Sequence, residues 1–209
     1  MKKGALIVIS GFSGAGKGTL VKKLLSSYER FALSISMTTR SPRIGEENGK
    51  DYFFVSKEEF QKTIDEDGFL EYATYVGNFY GTPKAYVEEK LNEGKDVILE
   101  IEVQGALQIK EKYPESLLMF VTPPSAGVLA ARLKDRGTES DEAIKDRLKR
   151  AGEEVLLMDR YDYIVVNDDL EECAENTVSL IDAAKCAPFR NGDFIEELKE
   201  ELTGSSKGV

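Results

Sequence analysis

Residues 5–20 read ALIVISGFSGAGKGTL, and this stretch decides the fold. Ala5 to Ser10 form a short apolar run, rich in β-branched residues and stopped by glycine, which predicts a buried strand. From Thr19 to Tyr28 the apolar residues Leu20, Val21, Leu24 and Leu25 recur at helical spacing and predict an amphipathic helix. The linking segment holds Gly11, Phe12, Ser13, Gly14, Ala15 and Gly16. Its glycines let the backbone curl so that successive N–H groups point inward at phosphate oxygens. Lys17 then reaches the transferring phosphate, and the helix presents its positive end behind it. A glycine-rich turn with no ligand is the bland alternative; the strand before it and the helix after it weigh against that. One position breaks the usual pattern, which asks for a hydroxyl straight after the lysine. Gly18 stands there, and the hydroxyl arrives one residue late, at Thr19. The backbone cradle survives this change, whereas the contact between hydroxyl and magnesium passes to Thr19 or to water.

Working outward, DVILEI (96–101), SLLMFV (116–121) and YIVV (163–166) are further short apolar strands. Helical stretches separate them: Gln104 to Lys112, Ser125 to Arg136, and Asp141 to about Met158. Such alternation predicts a three-layer α/β fold, a parallel sheet with helices on both faces. It breaks between about Met37 and Leu91, where short aromatic-rich strands (DYFFVS, FLEYATYV) accompany two helical pieces, Lys57 to Asp65 and Pro83 to Asn92. The expected division is a core of residues 1–36, 91–124 and 151–187, an inserted mixed α+β subdomain of 37–90, and a small helical insertion of 125–150. A C-terminal extension, 188–209, follows, and its end, GSSKGV, is expected to be disordered.

Composition narrows the chemistry. The chain has 209 residues, 41% hydrophobic and 32% charged, as expected of a globular domain. Its net charge of −10 argues against extended nucleic acid or an anionic membrane as partner. Any anion must be held locally by a few placed cations. With no histidine, imidazole base chemistry and histidine metal ligands are excluded. Cys173 and Cys186 are too far apart for a CxxC motif and too few for a disulfide framework. The N-terminal apolar run is too short for a signal peptide, and a cytoplasmic protein, monomer or small homo-oligomer, is the expectation.

Arg40 and Arg43 lie in SISMTTRSPRIGEENGKDY (34–52), flanked by Ser, Thr and Pro, hence on a loop or extended chain. With Tyr52 they suit a doubly charged phosphate monoester, through guanidinium forks and a phenolic donor. A solvated loop with incidental arginines is the competing reading. GNFYGTP (77–83) adds Tyr80 on a turn. Glu100 and Glu102 end the strand VILEI; spaced i, i+2, they are expected on one side, at the carboxyl edge where open α/β sheets bind ligands. Arg132 and Arg136 are four apart on one helical face, and Arg147 lies on the next helix. Taken alone they are equally a solvated basic face.

These pieces together resemble the guanylate kinases over nearly the whole chain, from Ala5 to about Ala184. The likeness is carried by the phosphate loop, SISMTTRSPRIGEENGKDYFFVS, GFLEYATYVGNFYGTP, ILEIEVQG, VTPPS, RLKDRGTES with IKDRL, and VVNDD. The resemblance implies a P-loop fold whose inserted subdomain binds GMP and whose small helical insertion is a lid. It implies that Arg40, Arg43, Tyr52 and Tyr80 hold the GMP phosphate, and that Ser36, Glu71 and Thr82 read the guanine. Glu71 would accept from N1–H and the 2-amino group, two donors that adenine lacks. Glu100 would contact guanine or a magnesium-bound water; the family usually has aspartate at this position and at Glu102. Residues 11–19 would hold ATP with Arg132 and Arg136, and Asn167 and Asp168 would lie at adenine, largely through backbone. Lys17, Arg40, Arg136 and Arg147 would carry the charge of the phosphoryl group in flight, with Mg²⁺ as cofactor. The GKGT spelling of the loop is similar to that of adenylate kinases, which keeps AMP, or a ribose bisphosphate, open as acceptor. A non-catalytic interaction domain of the same fold is the other alternative, and those typically lack a competent loop.

Overall fold

Ile7, Val8 and Ile9 are fully buried at the centre of a parallel sheet, which explains why the opening run carries no alternation of polar residues. The structure, a computed structural model, describes residues 3–75, 77–135 and 141–204. The sheet comprises β1 (Leu6–Gly11), β2 (Phe31–Leu33), β7 (Asp96–Glu100), β8 (Leu117–Thr122) and β9 (Tyr163–Val166), in the order β2-β7-β1-β8-β9. Every pairing in it is parallel, so each connection is a crossover. Helices α1 (Lys17–Ser27), α3 (Lys84–Asn92), α4 (Val103–Lys112) and α7 (Leu170–Lys185) pack on it. This is the α/β architecture expected, and β2, three residues long, is an addition that sequence periodicity did not resolve.

A second sheet forms the insertion. It contains β3 (Met37–Thr38), β4 (Phe53–Phe54), β5 (Phe69–Tyr75) and β6 (Asn78–Pro83), in the order β4-β3-β6-β5. Helix α2 (Lys57–Asp65) starts with a capping box, in which the Ser56 side chain accepts from Glu59 N–H and the Glu59 carboxylate accepts from Ser56 N–H. The helix drives Phe60 against Phe69 and Phe79, with ring centroids 4.5 and 5.4 Å apart, making a small aromatic core. The predicted strand DYFFVS shrinks to two residues, and two strands unforeseen in sequence, β3 and β6, join the sheet. The first is too short for a periodic signal; the second contains Gly81 and Pro83, residues that normally argue against a strand.

Helix α5 (Ala126–Asp135) and helix α6 (Asp141–Glu154) form the second insertion. Where one helix was expected to run to about Met158, the chain tightens into a 3-10 segment at Val155–Arg160. The C-terminal extension forms α8 (Gly192–Gly204), with Phe194, Leu198 and Leu202 exposed; all of GSSKGV but its first glycine lies outside the described residues.

At the end of the central sheet away from the glycine loop, Asp96 is fully buried. It accepts from Ala5 N–H at 2.8 Å and from Lys185 Nζ at 2.7 and 2.9 Å. One carboxylate thus ties β1, β7 and α7 together, leaving the other end of the sheet for chemistry.

Candidate active site

The glycine loop follows β1 and ends at Gly16, the N-cap of α1, where φ is 91° and no side chain caps the helix. No acidic residue occupies the first turn either, so the N–H groups of that turn are open to an anion. A Cβ at Gly16 would lie 2.4 Å from Asn167 Nδ2, and one at Gly11 (φ 140°) 2.0 Å from Val121 O. Neither position admits a side chain. Gly18 is different: its φ is ordinary, and a Cβ there would meet Glu100 Oε1 at a comfortable 3.6 Å. The position straight after Lys17 therefore faces Glu100, whereas Thr19, one step around the helix, is exposed. A Gly18→Ala chain is expected to melt no lower than the parent, because alanine favours the helix by up to about 1 kcal/mol. Gly16→Ala is expected to melt several degrees lower; thermal unfolding followed by circular dichroism compares the two.

Lys17 Nζ donates to Gly11 O at 2.7 Å and Phe12 O at 3.2 Å, so two of its three N–H bonds hold the loop and one remains. Burial lowers its pKa, while the carboxylates of Glu102, Glu100 and Glu154 pull the other way. The loop is also braced from two sides. Asn167, buried beyond the end of β9, donates from Nδ2 to Ala15 O at 2.8 Å. Its side chain therefore braces the loop, a contact that the resemblance did not imply; Asp168 next to it is exposed. Arg147 on α6 donates from Nη1 to Ser13 Oγ at 2.9 Å, joining the second insertion to the loop.

A cleft of about 550 Å³ opens at the carboxyl ends of β1 and β7, as the rule for open α/β sheets requires. It brings together Lys17 and Glu100 from the core, Glu71 and Tyr80 from the inserted sheet, and Ser36 and Tyr52, which lead into β3 and β4. A hollow of about 240 Å³ beside Lys110 and Asp162 lies at the opposite end of the sheet and gathers no comparable set. Glu71 is 7% exposed and accepts from Thr82 Oγ1 at 2.7 Å. Burial raises its pKa, against smaller opposing effects of Thr82 and Lys112. Gly105, in the first turn of α4, backs onto it: a Cβ there would stand 3.2 Å from Glu71 Oε2.

Glu100 ends β7 exposed to the cleft, and partial loss of water around its carboxylate raises its pKa despite Lys17 nearby. Glu102 corrects the expectation of a pair on one strand side. The strand stops at Glu100, and Glu102 is the N-cap residue of α4, accepting from Arg150 Nη2 at 2.7 Å. Arg40 is held bidentately by Glu46 at 2.7 Å for each contact, beneath which lie the rings of Tyr52 and Phe54 at 5.0 and 5.5 Å. Arg43 is exposed on the same loop. Arg132, on α5, is not among the residues lining the cleft; its charge is felt at Cys173 of α7. Arg136 lies outside the described residues. Sequence reasoning missed Glu46 and Gly105, which belong to motifs already quoted but carry no signal of their own, and Arg150, which lies just past IKDRL.

The family model for guanylate kinase matches residues 3–184. The chain belongs to the guanylate kinase family. It is 51% identical over 200 residues to the guanylate kinase of Caldanaerobacter subterraneus subsp. tengcongensis, covering 96% of this chain and 97% of that one. It is 48% identical over 209 residues to that of Clostridium tetani, covering 100% and 97%. The crystal structure of guanylate kinase from Anaplasma phagocytophilum superposes with a TM-score of 0.74 at 33% identity, covering 96% of each chain. The activity of the guanylate kinase family is phosphoryl transfer from ATP to a nucleoside monophosphate, and the chain is an enzyme of this class. No helix among the described residues is long and apolar enough to cross a membrane.

Proposed function

We propose that the chain transfers the γ-phosphoryl group of ATP to GMP, giving ADP and GDP, within purine nucleotide metabolism in the cytoplasm. The observation that carries this reading is Glu71. It is a buried carboxylate, bonded to Thr82, in the same cleft as the phosphate-loop lysine. A buried acceptor pair is costly unless it meets donors, and guanine supplies two while adenine supplies none on that edge. Ser36 lines the same cleft.

In this reading residues 11–19 cradle the phosphates of ATP, and Arg40, Arg43, Tyr52 and Tyr80 hold the acceptor phosphate. The segments 37–90 and 125–150 serve as acceptor subdomain and lid on the core of 1–36, 91–124 and 151–187. The acceptor oxygen attacks the γ-phosphorus in line. A phosphate monoester is largely ionised near neutral pH, its second pKa being about 6, so no strong base is required of a chain without histidine. Lys17 and the lid arginine Arg147 neutralise charge on the group in flight. Glu100, facing the first turn of α1, fits a magnesium ion that keeps several waters and leans mostly on substrate phosphates. Among the described residues no cluster of three or more carboxylate or thiol groups could hold a metal unaided. Bound there, magnesium would shield the phosphate charges; Thr19 is less suited to it than a side chain at position 18 would be.

ADP formation from Mg-ATP, with GMP, AMP or ribose 1,5-bisphosphate offered separately, tests the reading. Fast turnover with GMP alone is expected. Equal turnover with AMP would reassign the acceptor, and none with any acceptor would leave the chain a binding module.

A further inference from the structure

Arg40 has five N–H bonds, and three of them are used within its own loop. Nη1 donates to Ser41 O at 2.8 Å and to Glu46 Oε2 at 2.7 Å, and Nη2 donates to Glu46 Oε1 at 2.7 Å. The other Nη2 hydrogen and the Nε hydrogen lie parallel on the remaining edge of the guanidinium, the edge on which Tyr80 bonds. That edge is the side-on fork that matches two oxygens of a phosphate. The Tyr80 oxygen accepts on this same edge and Tyr52 lies beneath the plane, so an acceptor phosphate would meet the fork beside the Tyr80 hydroxyl.

Glu46 reaches further than Arg40. Its Oε2 also accepts from Arg43 N–H at 2.7 Å, and its own N–H donates to Arg43 O at 3.1 Å. One carboxylate therefore sets both the side chain of the first phosphate arginine and the backbone of the second. The pair is well shielded, with 13% of the Arg40 side chain and 19% of the Glu46 side chain exposed. Its bonds to Arg40 and to Arg43 N–H hold the Glu46 carboxyl down at about 2, so it stays ionised throughout the working range.

We infer that Glu46 is a positioning residue for the acceptor: it occupies one fork of Arg40 and thereby presents the other to the acceptor phosphate. The inference rests on the reading of the cleft as a GMP site. It is not self-evident, because a carboxylate beside a doubly charged phosphate also repels it. Were Glu46 itself holding the place of the acceptor phosphate, the ligand would have to displace it, and removing it would tighten binding. Positioning and displacement thus predict opposite signs.

The test is calorimetric titration of GMP and of guanosine into the parent protein, Glu46→Ala and Glu46→Gln, with KM for ATP and melting temperature measured alongside. Positioning predicts that Glu46→Ala weakens GMP by about 10- to 100-fold, the scale of hydrogen bonds between charged groups. Guanosine affinity and KM for ATP should not move. Glu46→Gln should recover part of the loss, since its amide oxygen still accepts while its NH₂ opposes the second Arg40 donor. Unchanged or tighter GMP binding in Glu46→Ala would overturn the inference. So would an equal loss of guanosine, which would make Glu46 a prop for the whole subdomain. A parent protein that binds no GMP would overturn the reading of the cleft itself, and that result is visible before any variant is made.

Discussion

Replacing Lys17 with methionine is expected to cut turnover by about a thousandfold while leaving GMP affinity intact. Lys17 opens α1 at an uncapped helix end, and two of its N–H bonds already go to Gly11 O and Phe12 O. In the proposed reaction the third is the donor that would meet charge developing on the transferring phosphoryl group. A single pre-placed donor of this kind is worth about 10²- to 10³-fold, and a cation at a phosphoryl group in flight more. Methionine keeps the length and removes the charge. The effect should fall on kcat, because in the proposed arrangement the acceptor is held by Arg40, Glu71 and Thr82 rather than by Lys17. Steady-state ADP formation with GMP titrations on the same preparations checks this. A fall of less than tenfold in kcat would mean that Lys17 shapes the loop rather than touching the group transferred. Lys17→Arg should rescue little, since a planar fork does not replace a point donor in a loop bonded at two carbonyls.

The loop that carries Lys17 was legible because local rules suffice there. A buried strand, glycines where φ must be positive, and a helix starting at a lysine all lie within sixteen consecutive residues, and no distant partner is needed. The central strands were legible for the same reason: burial on both faces writes itself as an apolar run. The inserted sheet was less so. Its strand β3 is two residues long, and β6 holds Gly81 because a Cβ there would press within 2.8 Å of Phe69, a packing demand invisible along the chain. Glu102 was misplaced because period-two reasoning continues a strand past the point where the helix N-cap begins. Asn167 and Arg147 reach the loop from residues 152 and 134 positions away in sequence. Contacts of that separation leave no trace in spacing. Glu46 is the sharpest case: by composition it is one of 38 acidic residues, and only the fold shows that its two oxygens meet two donors of one guanidinium.

Glu71→Gln is expected to lower kcat/KM for GMP by about 10²- to 10³-fold and to shrink the preference for GMP over AMP, with KM for ATP unchanged. The carboxylate has two oxygens in play. Oε1 already accepts from Thr82 Oγ1, and its remaining lone pair together with Oε2 offers guanine two acceptors side by side. Glutamine keeps the volume but turns one acceptor into a donor, facing a donor on the base. Sites built to hydrogen-bond a substrate group reject an analogue lacking it by about 10⁴-fold or more; the substitution should forfeit much of that. A pH dependence follows from the same burial. Desolvation raises the Glu71 pKa above the ordinary glutamate value, so on acidification this carboxylate takes its proton earlier than an exposed one. The proton converts an acceptor into a donor, and GMP recognition weakens as pH falls through the raised value. The GMP phosphate titrates too, but it does so in parent and variant alike. The parent should therefore show a steeper acid limb in kcat/KM than Glu71→Gln does. Parallel acid limbs in the two proteins would show that the carboxylate does not read the base, however well it is buried.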